Sequence, residues 1–130
     1  EFLPTEFDWR IGVLDRKPLF ACKYFMAKHH WQICEYDGTS QPKEGRVVAV
    51  PLDDVPGHVL RAAVRSANLI GDGLYGVDLK EAGGRSYVIE VNDNPNLDHG
   101  YEDVILKGDL YRSVMSVFKT RLNQSRKEKR

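Results

Sequence analysis

The chain contains 130 residues with 19 basic and 19 acidic side chains, so its formal net charge at pH 7 is zero. This length suits one modest domain or part of a larger one, and the balanced charge gives no reason to expect nucleic acid or a membrane surface as a partner. No apolar run approaches the ~20 residues that span a bilayer. The two cysteines lack CxxC spacing, which favours a reducing cytoplasm over a disulfide framework. Because the chain begins with a glutamate and its first residues already look structured, we expect an excised fragment.

The N-terminal third predicts two strands and a loop. Residues 8–15 (DWRIGVLD) and 18–25 (PLFACKYF) have the composition of strands, around a polar turn at Arg16–Lys17. The stretch 32–45 is rich in turn-forming residues, and we expect it to be a loop.

A helix is expected next, in the stretch DDVPGHVLRAAVRSANLIGDG. Either Asp53 or Asp54 can serve as its N-cap, and Pro56 fits its first turn. Gly71 or Gly73 can end it. Apolar side chains at helical spacing would then face the core, at Val59, Leu60, Ala63, Ala67 and Ile70.

The C-terminal half predicts two more strands and a second helix. The strands flank a glycine turn, a polar loop follows over residues 93–100, and a helix is expected over roughly 109–121. The basic stretch 121–130 predicts a frayed, solvated tail beyond a domain of residues 1–120. The order strand, strand, helix, strand, strand, helix predicts an α+β fold with a mainly antiparallel sheet packed by two helices.

The second strand pair carries polar residues whose partners depend on the turn. With a three-residue loop at 83–85, Ala82 faces Ser86, Asp78 faces Glu90 and Gly76 faces Asn92. A loop one residue longer would place these two acids on opposite faces. The apolar pattern is compatible with either loop, and we predict the three-residue register.

In that register the two faces of the hairpin differ in character. One face is apolar and suits a core: Tyr75, Val77, Leu79, Tyr87, Ile89 and Val91. The other is polar: Gly76, Asp78, Lys80, Glu90 and Asn92.

Two carboxylates about 5 Å apart on one sheet face repel each other unless something compensates. A divalent cation is one candidate, because Mg²⁺ and Mn²⁺ prefer oxygen ligands such as Asp78, Glu90 and Asn92. The other interpretation is a solvent-facing strand pair whose acids are neutralised by Lys80 and nearby arginines. The spacing alone does not decide between them.

The pattern D-x11-E-x-N, continuing as EVNDNPNLDHGYED, resembles the C-terminal half of ATP-grasp enzymes, most closely the RimK-like branch. That branch includes glutathione synthetases and ligases that add amino acids to peptide or protein carboxyl ends. Two upstream segments also resemble the family. EFLPTEFDWRIGVLDRKPLFACK is similar to the segment after the adenine-binding hinge, and AAVRSANLIGDGLYGVDL to the helix that leads into the metal-binding strand.

This resemblance implies an ATP-dependent ligase. In the family ATP phosphorylates a carboxylate, and an amine or thiol attacks the resulting acyl phosphate, with two Mg²⁺ (or Mn²⁺) ions at the phosphates. The lysines that clamp ATP lie upstream in the family and are absent here. We therefore expect an inactive half-site whose partners are ATP, a carboxylate, an acceptor and a missing N-terminal half, and whose exposed apolar area is compatible with a homodimer. The alternative is a non-catalytic or regulatory nucleotide-binding module.

The resemblance also implies roles for individual residues. Asp78, Glu90 and Asn92 match the metal ligands, with Glu90 as the bridge between the ions. Arg10 and Lys23 match positions that meet phosphate or the acyl group, although close relatives more often have arginine at the position of Lys23.

Two further residues match the nucleotide surroundings in the family. Glu1 corresponds to a hinge residue near adenine or ribose, and Ile89 to the residue pressed against adenine. The loop DNPNLDHG is expected to shape the mouth of the metal site, with Asn94 or Asn96 near the substrate. Strand alternation instead places Ile89 on the core face. The family's R-x-N element is not evident, and its region contains Lys28, His30 and Gln32.

Overall fold

The computed structural model describes residues 2–25 and 46–130, together with the backbone of residues 34–36 and 42–44. The described strands are β1 (Phe7–Leu14), β2 (Lys17–Phe25), β3 (Cys34–Tyr36), β4 (Pro42–Glu44), β5 (Val47–Val50), β6 (Leu74–Ala82) and β7 (Arg85–Asn92). The helices are a 3₁₀ turn (Leu52–Asp54), α1 (Gly57–Ile70) and α2 (Gly108–Glu128).

Five strands form one sheet in the order β5-β2-β1-β6-β7, in which every neighbouring pair is antiparallel. The strands β3 and β4 pair separately, inside the stretch that was predicted to be a loop. The short strand β5 was not predicted. The α+β class and the antiparallel sheet with two helices are confirmed.

Helix α1 covers one face of this sheet and buries its apolar stripe there. Val59, Ala63 and Ala67 are buried against Ile11 and Val77 of the central strands. Ile70, which the stripe included, is exposed instead. His58 ties the helix to the β6–β7 hairpin, because its two ring nitrogens lie 2.6 Å from the Ser86 hydroxyl and 2.8 Å from the Glu81 carboxylate.

The start of α1 differs from the prediction. Its N-cap is Pro56, whereas Asp53 and Asp54 lie in the preceding 3₁₀ turn. The cause is local, since a residue before proline avoids the helical region, and Val55 is indeed extended. Gly71 ends the helix as predicted, in an extended conformation.

The opposite face of the sheet is covered by the loop 93–107 and the start of α2. Phe20, Cys22 and Leu110 form a second core there. Helix α2 continues to Glu128, so its predicted end at 121 and the frayed tail beyond it are corrected, although residues 122–130 are exposed. No helix in the described part of the chain is long and apolar enough to cross a membrane.

The β1–β2 turn is one residue earlier than predicted. It consists of Asp15 and Arg16, whose φ angles are +48° and +68°. A bulge between Gly12 and Val13 then shifts the register, so that Arg10 pairs with Cys22. Arg121 of α2 holds the turn through an ion pair with Asp15 at 2.6 Å.

The β6–β7 hairpin has the predicted pairing of Asp78 with Glu90, but its turn differs from the predicted one. Gly83 and Gly84 form a two-residue turn with φ angles of +58° and +72°, and Ala82 pairs with Arg85. The three-residue loop and the Ala82–Ser86 pair are therefore wrong, because two glycines at positive φ favour the tighter turn.

A β-bulge in β7 shifts the register by one residue beyond the two-residue turn. Leu79 pairs with Val88 and Asp78 pairs with Glu90, so Ile89 is the extra residue. Tyr87 and Ile89 are consequently exposed rather than buried in the core. The predicted pairs Asp78–Glu90 and Gly76–Asn92 are confirmed.

Candidate functional site

The face of the sheet opposite α1 carries an ion pair between its two central strands. Arg10 on β1 and Asp78 on β6 are register partners. The guanidinium donates from Nε to Oδ1 at 2.7 Å and from Nη2 to Oδ2 at 2.8 Å. Both side chains are about one-fifth exposed, at 19% and 21%. The carboxylate of Asp78 raises the pKa of Arg10 above its ordinary value, mainly through these hydrogen bonds.

Glu90 and Asn92 extend this polar face onto the edge strand β7. Because Glu90 is the register partner of Asp78, the two carboxylates lie on the same face. Glu90 is exposed, and none of the described basic side chains forms an ion pair with it. The Asn92 side-chain oxygen accepts a hydrogen bond from the Asn94 backbone N–H at 2.8 Å.

Lys80 does not neutralise this site. Its ammonium group donates to Asp8 at 2.7 Å and to Thr5 at 2.9 Å. Arg10 therefore neutralises Asp78, whereas the charge of Glu90 has no counterpart in the described part of the chain. The interpretation that Lys80 and nearby arginines neutralise both Asp78 and Glu90 therefore holds only for Asp78, which Arg10 neutralises.

Two oxygen-bearing residues beside the ion pair were not predicted. The ring centroid of Tyr24 lies 4.7 Å from Cζ of Arg10. The Tyr24 hydroxyl donates to Glu102 at 2.5 Å, and the Asp98 backbone N–H donates to the other oxygen of Glu102 at 2.8 Å. Burial, together with Glu102, raises the pKa of Tyr24.

Cys22 lies beside this cluster, as the register partner of Arg10. It is fully buried, and burial followed by the charge of Glu102 raises the pKa of its thiol to about 12. Cys22 is therefore a protonated core residue at neutral pH rather than a nucleophile.

Lys23 lies on the other face of the sheet. Its register partner is Trp9, which belongs to the core under α1. Its ammonium group lies 4.6 Å from the ring centroid of Phe7 and 5.0 Å from that of Trp9. Lys23 and Arg10 therefore lie on opposite faces of the sheet, because neighbours along a strand alternate in face. The role of Lys23 at phosphate or the acyl group stays a prediction.

The nucleotide-contact expectations have mixed outcomes. Ile89 is 54% exposed at the bulge, so its placement on the core face is wrong and it is accessible to a ligand. Asn94 is exposed next to Asn92. Glu1 lies outside the described residues, as do Lys28, His30 and Gln32.

The donor atoms fit a hard divalent cation. Asp78, Glu90 and Asn92 offer only oxygen, which suits Mg²⁺ or Mn²⁺, and Mg²⁺ needs few protein ligands when phosphates and water supply the rest. Each carboxylate or amide oxygen has two lone pairs. Asp78 can therefore bind a cation while Arg10 still donates to it, and Asn92 can do so while Asn94 does. The described residues form no cluster of three or more His, Cys, Asp or Glu side chains.

A signal for Tyr24 was present in the sequence, but none for Glu102. Tyr24 follows Cys22 by two residues, so strand alternation places both on the face of Arg10 once the β1–β2 register is known. Glu102 contacts Tyr24 across 78 residues of sequence, from a loop without periodicity.

No protein-family model and no curated protein matches this chain. Solved structures do. The ATP-grasp ligase PsnB, in complex with a phosphomimetic variant of its minimal precursor, Mg and ADP, has a TM-score of 0.61 and 24% sequence identity. The match covers 88% of this chain and 34% of PsnB.

D-alanine–D-alanine ligase from Bacillus anthracis is similar over a longer stretch. One structure has a TM-score of 0.60 and 16% identity and covers 98% of this chain and 44% of the ligase. Its complex with ATP has a TM-score of 0.62 and 14% identity, over 95% of this chain and 43% of the ligase. The chain thus spans between a third and a half of the ligases it resembles.

Identities this low establish the fold alone. The five-stranded antiparallel sheet with two helices matches part of the fold of these structures. The chain therefore has the α+β fold of part of an ATP-grasp ligase.

Proposed function

We propose that the chain is the metal-binding, C-terminal part of an ATP-dependent ligase of the RimK-like branch. Such a ligase joins a carboxylate to an amine or a thiol. The observation that carries the proposal is the convergence of Asp78, Glu90 and Asn92 on one sheet face beside Arg10. The ATP-grasp fold of the neighbouring structures supports it.

In this proposal Asp78, Glu90 and Asn92 would hold Mg²⁺, with two ions expected and Glu90 as a ligand of both. The ions would supply positive charge that neutralises the transferring phosphoryl group. Arg10 donates from its guanidinium to a phosphate oxygen, a planar geometry that suits arginine. Ile89, exposed at the bulge, packs against adenine, and Asn94 lies at the mouth of the site.

The reaction we propose for the whole ligase has two steps. An oxygen of the substrate carboxylate bonds to the γ-phosphorus as the bond to ADP breaks, which gives an acyl phosphate. The amine or thiol then bonds to the acyl carbon, loses a proton, and phosphate leaves with the bonding electrons. By itself the chain is proposed to be catalytically inactive. The alternative proposal is a non-catalytic nucleotide-binding or regulatory module. The cytoplasm is the proposed compartment.

The test is a calorimetric titration of MgADP and MnADP into the chain and into Glu90→Gln. A matched control is Glu81→Gln, on the same hairpin, where the carboxylate contacts His58 rather than the site. We expect metal-dependent binding that is lost in Glu90→Gln and kept in Glu81→Gln. Equal affinity in both variants, or no binding by the wild-type chain at millimolar MgADP, would contradict a nucleotide–metal site in this chain.

A further inference from the structure

Glu102 is a buried carboxylate far from the candidate metal ligands in sequence. Only 3% of its surface is exposed. Burying a carboxylate is costly unless hydrogen bonds compensate, and each of its oxygens accepts one, from the Tyr24 hydroxyl at 2.5 Å and from the Asp98 N–H at 2.8 Å. The loop 93–107 is thus fixed to strand β2 through one side chain.

Tyr24 passes this constraint to Arg10. The hydroxyl bond to Glu102 fixes one end of the ring, and the face of the ring lies 4.7 Å from Cζ of Arg10. The guanidinium is thereby held from two directions, by the Asp78 carboxylate in its plane and by the Tyr24 ring above it. A cation over an aromatic face is attracted to it.

We infer that Glu102 is a positioning residue for Arg10, acting through Tyr24. The hydrogen bond between Glu102 and Tyr24 orients the Tyr24 ring. The ring in turn keeps the Arg10 guanidinium in the plane in which it donates two hydrogen bonds to the Asp78 carboxylate. The consequence for nucleotide binding rests on the proposed function. When Asp78 binds a cation, the ring fixed by Glu102 keeps Arg10 aimed at the neighbouring phosphate.

The first measurement needs no ligand. It is the solvent-exchange rate of the Arg10 Nε–H, followed by NMR and assigned with Arg10→Met. We expect Tyr24→Phe, which deletes one hydroxyl and keeps the ring, to accelerate exchange about fivefold, the effect of one ordinary hydrogen bond. Unchanged exchange in Tyr24→Phe would overturn the inference.

Variants at Glu102 test whether the effect passes through Tyr24. Glu102→Met, which deletes both acceptors at similar volume, should also accelerate exchange about fivefold. Glu102→Gln should restore most of the protection, because its amide can accept from Asp98 and donate to Tyr24. In the Tyr24→Phe background Glu102→Met should add nothing, and an equal further acceleration would contradict the inference.

Asp103 provides the matched control. It is the neighbouring buried acid in the same loop, and it accepts hydrogen bonds from Gly100 and Tyr111 rather than from Tyr24. Asp103→Asn should leave the exchange of the Arg10 proton unchanged. The same acceleration in this variant would show that the loop as a whole, and not Glu102, orients Arg10.

A titration of MgADP then separates this inference from the proposed function. We expect Tyr24→Phe to weaken MgADP binding about fivefold. Failure of the wild-type chain to bind MgADP would defeat the proposed function and leave the exchange result standing. Binding with unchanged exchange in Tyr24→Phe would defeat the positioning role alone.

Discussion

Replacing Arg10 by methionine should weaken the fold and strengthen metal binding in the same variant. Methionine keeps the apolar stem and removes the guanidinium, which leaves Asp78 without its partner and beside Glu90. A loss of fold stability together with a gain in metal affinity is expected only if Arg10 and a cation bind the same carboxylate, that of Asp78.

The loss of stability can be bounded from the geometry. Breaking a fully buried pair costs roughly 3–5 kcal/mol, whereas an exposed pair is worth about 0–1 kcal/mol. Arg10 and Asp78 are each about one-fifth exposed and joined by two hydrogen bonds. We therefore expect a loss of about 2–3 kcal/mol, including about 0.5–1 kcal/mol from the contact with Tyr24.

The gain in metal affinity follows from charge. A divalent ion and a unit positive charge on the same carboxylate repel by about 1–2 kcal/mol even in a water-like dielectric. Removing Arg10 should thus tighten Mn²⁺ binding without nucleotide about tenfold. Affinity for MgADP should fall, because a phosphate contact is lost.

Urea denaturation gives the free energy of unfolding, and calorimetric titration gives the Mn²⁺ affinity. The control is Arg112→Met, since Arg112 pairs with Asp109 at 2.7 Å but both side chains are largely exposed, at 79% and 73%. Its effect should stay within about 0.5 kcal/mol. If Arg10→Met matched this control, or if Mn²⁺ affinity did not rise, the shared carboxylate would be refuted.

Two further predictions concern the cores and the acidic loop. Hydrogen bonds from His99 and Gly100 lower the pKa of Asp103, so its stabilising contribution is present above the unfolded pKa near 4 and is lost as pH falls through the lower folded value. Asp103→Asn should therefore be less stable than the wild type at pH 6, with the gap closing below pH 4; a gap independent of pH in urea titrations would contradict this. Gly12→Ala should cost about 2–3 kcal/mol, because the new Cβ would overlap the Phe20 ring. The control Gly57→Ala meets only the mobile end of Arg61, and equal melting temperatures for the two variants would refute the packing argument.

The convergence of the candidate metal ligands was predicted from a choice of hairpin register. Eleven residues separate Asp78 from Glu90, so a three-residue loop makes the two acids direct partners on one face, whereas a loop one residue longer does not. The position of the extra residue could not be predicted. A turn of three residues, or a turn of two with a bulge, gives the same pairing, and only the conformation of Gly83 and Gly84 decides between them.

Features that depend on packing between distant parts of the chain could not be predicted from the sequence. The face of Lys23 follows from a bulge at Gly12 and Val13 that no turn signal marks. The strand β5 has only four residues, and its partner β2 ends more than 20 residues earlier in the sequence. The end of α2 was placed too early because a basic composition was interpreted as a tail, although lysine, arginine and glutamate favour helix.

The bulge at Ile89 is not needed for the pairing of the two acids. Leu79 already pairs with Val88, so removing Ile89 would leave a regular two-residue hairpin in which Glu90 still faces Asp78 and Asn92 still faces Gly76. What the extra residue adds is an exposed apolar side chain beside the polar face. For anyone shortening or grafting this hairpin, Ile89 can therefore be removed without moving the candidate metal ligands away from Arg10, at the cost of that apolar contact surface.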